Sequence, residues 1–209
     1  MKLRNTYYAL RHGTSEANER GIVVSHPENG IRGWGLTVAG AARWRPRRGP
    51  APGAAGAPPP LDPAELHDPR LDPARTVVVS SDFSRARETA AILCELHALA
   101  PFEIDIALRE RFFGDLEMGR VQRYDEVWDR DAHGPNHGHV GAESTEWVAR
   151  RMAGVIERQE RRHTEMTVVL VSHGDPLQIL ETVLLGLPSH RHRERAHLGN
   201  AEMRRLSPR

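Results

Sequence analysis

The chain has 209 residues, 39% of them hydrophobic and 27% charged, and a formal net charge of +1. This length suits one domain with a full core, the composition excludes a disordered chain, and the charge balance excludes the broad basic field that holds nucleic acid. The lone Cys94 excludes an internal disulfide and a cysteine-rich metal site. No apolar run approaches the roughly 20 residues of a membrane helix. The opening segment lacks the long apolar region and cleavage site of a secretory signal. The expectation is a cytoplasmic protein forming one domain over residues 1–209, without membrane or nucleic-acid partners, and with a homodimer left open.

Tyr7–Leu10 is short, apolar and aromatic, and reads as a buried strand that ends at Arg11-His12-Gly13. Thr14 or Ser15 then caps a short helix. Residues 21–37 read as an irregular loop, and Thr37 as the N-cap of a helix running toward Trp44. From Pro46 to Pro73 the chain is dense in Pro, Ala and Gly, an insertion without regular structure. Thr76–Ser80 is a β-branched strand. Asp82 or Ser84 is the candidate cap of a helix to about Leu99, with apolar residues at helical spacing. In that helix Cys94 reads as a buried small hydrophobe rather than a nucleophile. Residues 102–108 hold a short strand, residues 133–141 a loop, and Glu143–Arg162 a helix with Trp147, Met152, Val155 and Ile156 facing inward. Thr167–Ser172 is the third clear strand. It ends at His173-Gly174, with Asp175 as cap and Pro176 as first residue of a helix through Leu185. Ala201–Leu206 adds a last strand. This alternation predicts an α/β fold, a three-layer α/β/α sandwich on a mostly parallel sheet.

Two strands end in a histidine followed by glycine, at His12 and at His173, and a third ends in a polar turn carrying Arg85. Ligands of open α/β sheets bind beyond the carboxyl ends of the strands. The three strand ends would therefore bring Arg11, His12, Arg85 and His173 to one crevice.

These residues stand in an ordered set of motifs. They are Leu10–Asn18 around Arg11-His12-Gly13, Ser80–Ala90 around Arg85, Leu108–Gly114 around Glu110, and Val171-Ser172-His173-Gly174. Two further elements are Gly35–Gly40 and Gly141-Ala142-Glu143-Ser144. In this set the chain resembles the histidine phosphatase superfamily, also called phosphoglycerate-mutase-like. The resemblance implies phosphoryl transfer without metal or cofactor, from a small phosphorylated substrate to His12. Phosphoryl transfer rests on positioning and electrostatic stabilisation. Arg11 and Arg85 would hold the phosphoryl oxygens, and His173, if protonated, would add a third cation. His12 must be neutral, its second nitrogen held by a backbone carbonyl. By similarity Glu110 protonates the leaving oxygen and activates water, for which a pKa near neutrality serves best. Ser15, Asn18 and Gly174 match positions beside the phosphate. Thr14 departs from the Glu of many relatives, and Asp175 from the Asn of mutases.

Among the activities that the resemblance allows, hydrolysis is favoured over mutase chemistry. The segment from Gly119 to Gly141 is short and not enriched in lysine, leaving little room for the extra basic residues of cofactor-dependent mutases. A non-catalytic phosphate-binding module and a phosphoprotein phosphatase are the other readings. His133, His137 and His139 read as a solvated loop rather than a metal site, and Arg43, Arg45, Arg47 and Arg48 as a solvated run. Trp34, Trp44, Trp128 and Trp147 read as core or pocket-wall residues.

Overall fold

The computed structural model describes residues 3–42 and 71–207. The expected insertion, apart from Leu71–Pro73, lies outside the described residues, as do the arginine run at 43–48 and Trp44. Among the described residues five strands form one sheet, β1 (Thr6–Arg11), β2 (Thr76–Ser80), β3 (Glu103–Ile104), β4 (Thr167–Ser172) and β5 (Met203–Leu206), in the order β3-β2-β4-β1-β5. β1, β2, β3 and β4 are mutually parallel, and only the edge strand β5 is antiparallel. The expected α/β sandwich with a mostly parallel sheet is therefore present.

Among the described residues the α-helices are α1 (Glu16–Arg20), α2 (Pro27–Gly30), α3 (Val38–Ala42), α4 (Ser84–Leu96), α5 (Tyr124–Asp131), α6 (Thr145–Arg162) and α7 (Gly174–Leu185). Because side chains of a strand alternate between faces, each apolar strand feeds two cores. Tyr7, Ala9, Val168 and Leu170 pack with Met152 and Ile156 of α6 and Leu177 and Leu180 of α7. Tyr8, Leu10, Val78, Val169 and Val171 pack with Ala86, Ala90, Leu93 and Cys94 of α4. Strands covered on both faces read as continuous hydrophobic runs, which is why β2 and β4 stand out in the sequence.

The central place of β4 sets up the site. It lies between β1 and β2, in register with Arg11 opposite Ser172 and Ser80 opposite Val171. The ladder runs one residue further on each side, His12 N donating to Ser172 O at 3.0 Å and Ser81 N to Val171 O at 3.0 Å. His12, Ser81 and His173 thus leave the sheet side by side.

Several local expectations are revised. Ser15 does cap α1, in a reciprocal box with Asn18, and Thr37 Oγ1 accepts from Gly40 N at 3.0 Å. Neither Asp82 nor Ser84 caps α4. Asp82 is held by Arg109 in a paired contact at 2.8 and 2.6 Å, and Ser84 Oγ donates to Ile31 O. His173, not Asp175, is the N-cap residue of α7, which begins at Gly174, because the Asp175 carboxylate is turned toward Arg111 and Trp128. The 21–37 loop contains the single turn of α2, and β3 is only two residues long. Trp147 does not face inward. It is 63% exposed, with Arg150 packed over its ring.

Leu170, fully buried in the central strand, offers a test of this core. Leu170→Ala is expected to cost about 2–5 kcal/mol of stability through lost burial and the cavity left behind. Urea unfolding measures it, and a loss well under 1 kcal/mol would contradict the packing.

Candidate active site

A cleft of about 100 Å³ opens at the carboxyl ends of β1, β2 and β4. Its lining includes Arg11, His12, Ser15, Asn18, Arg85, Glu110 and Gly174. The structure thus brings together the residues drawn from separate motifs. His173 completes the set from behind, its ring centroid 5.1 Å from that of His12 and its Nδ1 3.8 Å from Glu110 Oε2.

His12 is buried, and both ring nitrogens are engaged. Nδ1 lies 2.8 Å from Gly13 O, and Arg85 Nε donates to Nε2 at 3.0 Å. A carbonyl can only accept and a guanidinium can only donate. The proton therefore sits on Nδ1, and the Nε2 lone pair faces Arg85. Burial, then the charges of Arg85 and Arg11, push the His12 pKa well below its usual value. The imidazole is a neutral base oriented by its own neighbour's carbonyl.

Arg85 is anchored by Nη2 donating to Val24 O at 2.9 Å, while Thr89 Oγ1 donates to its carbonyl and accepts from Gly13 N. That threonine ties α4 to the turn carrying His12. Arg11 is fixed through Nη1, which contacts His197 Nε2 at 2.7 Å and donates to Leu198 O at 2.8 Å. After these contacts Arg11 Nε, Arg85 Nη1 and His173 Nδ1 are buried without a hydrogen-bond partner among the described residues. Buried polar groups are ordinarily paired. Three unpaired nitrogens, two of them on cations, beside one neutral histidine form a binding place for an oxyanion.

Glu110 is the titratable acid of the cleft. Burial pushes its pKa up to about 7 against the pull of Arg85, whose Nη2 is 3.9 Å away. Its place is set from α6. Arg151 grips Glu143 with two hydrogen bonds of 2.8 and 3.0 Å and donates to the carbonyls of Ala107, Arg109 and Glu110.

His173 does not meet the condition for a third cation. Burial, then Arg85 and His12, push its pKa well below the usual value. It is a neutral ring held to Ser81 Oγ at 3.0 Å through Nε2. Ser15 and Asn18 both line the cleft, yet their mutual capping occupies Ser15 Oγ and Asn18 Oδ1. Asn200 Nδ2 also donates to Asn18 Oδ1 at 2.9 Å.

Sequence reasoning missed the far wall. Tyr124, Asp175, Gln178, Arg193 and His197 line the cleft beside Trp128, which was expected as a core or pocket-wall residue. The spacing of Tyr124 and Trp128, one helical turn apart, was a usable signal; nothing local marked Arg193 or His197. Beneath this wall Arg111 is fully buried and makes a paired contact with Asp131 at 2.6 and 2.8 Å and a bond to Asp175 at 3.3 Å. Burial alone would raise the Asp175 pKa, but His192, Arg111 and Trp128 hold it well below the usual carboxylate range. His137, expected in a solvated loop, is packed with its Nε2 2.6 Å from Asp131. Among the described residues no group of three or more His, Cys, Asp or Glu side chains is placed to hold a metal ion.

Removing one member of a buried ion-pair network leaves charge uncompensated. Arg111→Ala, which strands Asp131 and Asp175, is expected to destabilise the fold by about 3–5 kcal/mol. A denaturant titration showing a change under 1 kcal/mol would mean that the two carboxylates do not depend on it.

Comparison with known proteins agrees with this geometry. The family model described as histidine phosphatase superfamily (branch 1) matches residues 64–209. The Yersinia enterocolitica protein named "Probable phosphoglycerate mutase GpmB" is 31% identical over 136 residues, covering 63% of this chain and 62% of that protein. The matched region thus spans less than two-thirds of the length of that relative. Among solved structures, a mycobacterial glucosyl-3-phosphoglycerate phosphatase complexed with VO3 superposes with a TM-score of 0.73 at 26% identity, over 97% of this chain and 92% of that one. The alpha-ribazole phosphatase from Shigella flexneri superposes with a TM-score of 0.67 at 22% identity, over 96% and 89% of the two chains, and shares the fold. The chain belongs to the histidine phosphatase superfamily.

Proposed function

We propose that this superfamily member is a phosphoric monoester hydrolase that acts on a small phosphorylated metabolite through a phosphohistidine at His12. The observation that carries this reading is the trio of unpaired buried nitrogens, on Arg11, Arg85 and His173, around a histidine held neutral. The cleft of about 100 Å³ is well below the roughly 300–1,000 Å³ that encloses a drug-sized ligand. It fits a phosphoryl head and leaves the rest of a larger ester at the mouth.

In the reaction, the oxyanion takes the free donors of Arg11 and Arg85, and Arg85 turns its Nε from His12 to the phosphoryl oxygens. His12 Nε2 attacks phosphorus and the ester P–O bond breaks. Protonated Glu110 delivers its proton to the departing oxygen, which leaves as an alcohol. The Glu110 carboxylate then takes a proton from water, the hydroxyl oxygen attacks phosphorus, and the P–N bond breaks. Inorganic phosphate departs and His12 is again neutral, its Nδ1 proton still held by Gly13 O. The guanidinium groups supply the charge stabilisation that a metal ion supplies in other phosphoryl-transfer sites. With Ser81 Oγ donating to its Nε2, His173 presents an Nδ1 proton to the transferring group. Gly174, first residue of α7, presents the positive end of that helix to the bound anion. The capped Ser15 and Asn18 shape the entrance, where the Asn18 amide nitrogen is available to a substrate oxygen.

Release of inorganic phosphate from a panel of esters tests this directly. Hydrolysis is expected from the wild type with chelator present, and none from His12→Ala; comparable rates from the two would refute the nucleophile. The sign of the pH dependence follows from Glu110. Its acid form is lost as pH rises through about 7, while the lowered His12 pKa keeps the nucleophile unprotonated on the acid side. For an alkyl ester kcat/KM should fall above neutrality. For an aryl ester, whose leaving group needs no proton, it should stay flatter, and Glu110→Gln should abolish the difference. Parallel profiles for both esters would remove Glu110 as the acid.

A further inference from the structure

The phosphoryl chemistry leaves the far wall of the cleft unexplained. There the guanidinium of Arg193 lies 3.8 Å from the ring centroid of Trp128. The indole is fixed by its Nε1 donating to Asp175 Oδ2 at 3.0 Å, and the same oxygen accepts from Arg111 at 3.3 Å. On its own helix Trp128 also stacks against Tyr124, with centroids 5.1 Å apart. Arg193 is thereby laid on a platform whose position is set by the buried network. An arginine stacked on an aromatic face keeps its edge donors available.

Those donors are largely unspent. A guanidinium has five N–H groups. Among the described residues the one hydrogen bond of Arg193 is from Nη1 to Gln178 Oε1 at 3.1 Å. Its nearest carboxylate oxygen, Asp175 Oδ1, is 3.9 Å away, beyond hydrogen-bond reach. The Arg193 side chain is 36% exposed while that of Arg85 is 4% exposed. Both line the same cleft with Arg11, so positive charge continues from its buried floor toward its mouth. His197 joins the two regions: burial, then Arg11 and Arg193, lower its pKa. An arginine needed only for packing would be expected to spend its donors on protein acceptors.

We infer that Arg193, seated on Trp128 and steadied by Gln178, is a specificity residue that binds a second anionic group of the substrate, a carboxylate or a further phosphate, while the first phosphate sits at His12. This rests on the hydrolase reading for the first phosphate. The preferred substrates are then small esters carrying two anionic ends, and neutral sugar or polyol phosphates are poorer.

Two matched pairs test it. Glycerol 3-phosphate and 3-phosphoglycerate differ by a carboxylate in place of a hydroxymethyl group; glucose 6-phosphate and glucose 1,6-bisphosphate differ by a second phosphate. For each pair the ratio of kcat/KM, dianionic-ended over singly phosphorylated, is compared in wild type, Arg193→Ala and Arg193→Lys. At least one ratio should fall tenfold or more in Arg193→Ala, mainly through KM, and recover in part with lysine. The pair that responds identifies the group. Ratios unchanged within twofold, or both members of each pair falling together, would overturn the assignment. Calorimetric affinities of the same four compounds, measured in the His12→Ala background with and without Arg193→Ala, separate the two readings. A tenfold loss of the affinity ratio with no wild-type hydrolysis would retain the subsite and sink the hydrolase. Hydrolysis with an unmoved ratio would do the reverse, and absence of binding by all four would overturn the subsite.

Discussion

Positive charge buried without matching negative charge is the constraint on which the site depends. Arg11 at the end of β1 and Arg85 in the first turn of α4 close on His12, and the nearest acid, Glu110, is itself pushed toward neutrality by burial. Desolvated charge is costly unless it is paired. The protein leaves this cost partly uncompensated in a cleft that opens to solvent, so an incoming oxyanion relieves it. Burial first, and the field of these arginines second, keep His12 unprotonated. One arrangement would thus provide both the attraction for phosphate and the lone pair of the proposed nucleophile. In the proposed reaction, an arginine–phosphate contact would replace the Arg85–His12 hydrogen bond and free Nε2 as the anion arrives.

Holding that arrangement requires a stiff surround. The sheet order supplies the first part, because β4 between β1 and β2 fixes His12, Ser81 and His173 relative to one another through backbone hydrogen bonds. Side chains supply the rest. Arg151 pins the carbonyls flanking Glu110 to α6. The Glu117 carboxylate accepts from Ser25 N, Ser25 Oγ, His26 N and Asn29 Nδ2, fastening the loop whose Val24 carbonyl orients Arg85. Arg111, with Asp131 and Asp175, sets the Trp128 wall. Satisfied buried networks of this kind hold catalytic groups in place better than loose packing does.

Much of this was legible in the sequence, and the parts that were not have a common cause. β2 and β4 announce themselves because strands of a parallel sheet are apolar on both faces, and a His-Gly step marks the end of β1 and of β4. The strand expected within 102–108 is present but only as Glu103–Ile104, and the single turn at 27–30 has too few residues to show a period. The helix caps at Asp82 and Asp175 were misread because tertiary partners, Arg109 in one case and Arg111 with Trp128 in the other, took the carboxylates that local rules assign to the helix. The sequence left the protonation of His173 open, because what lowers its pKa, burial first and then the Arg85 guanidinium on another helix, is set by the fold. Arg193 and His197 reach the cleft through the fold of the segment after α7, and no spacing rule records that.

The central claim is that His12 carries the phosphoryl group. Rapid quenching of the protein with a phosphate-labelled ester, followed by peptide mapping, tests it most directly. The account predicts a label that is stable in base, labile in acid, mapped to His12 and absent from His12→Ala. Turnover of the ester with no label on His12, or label on another residue, would contradict it.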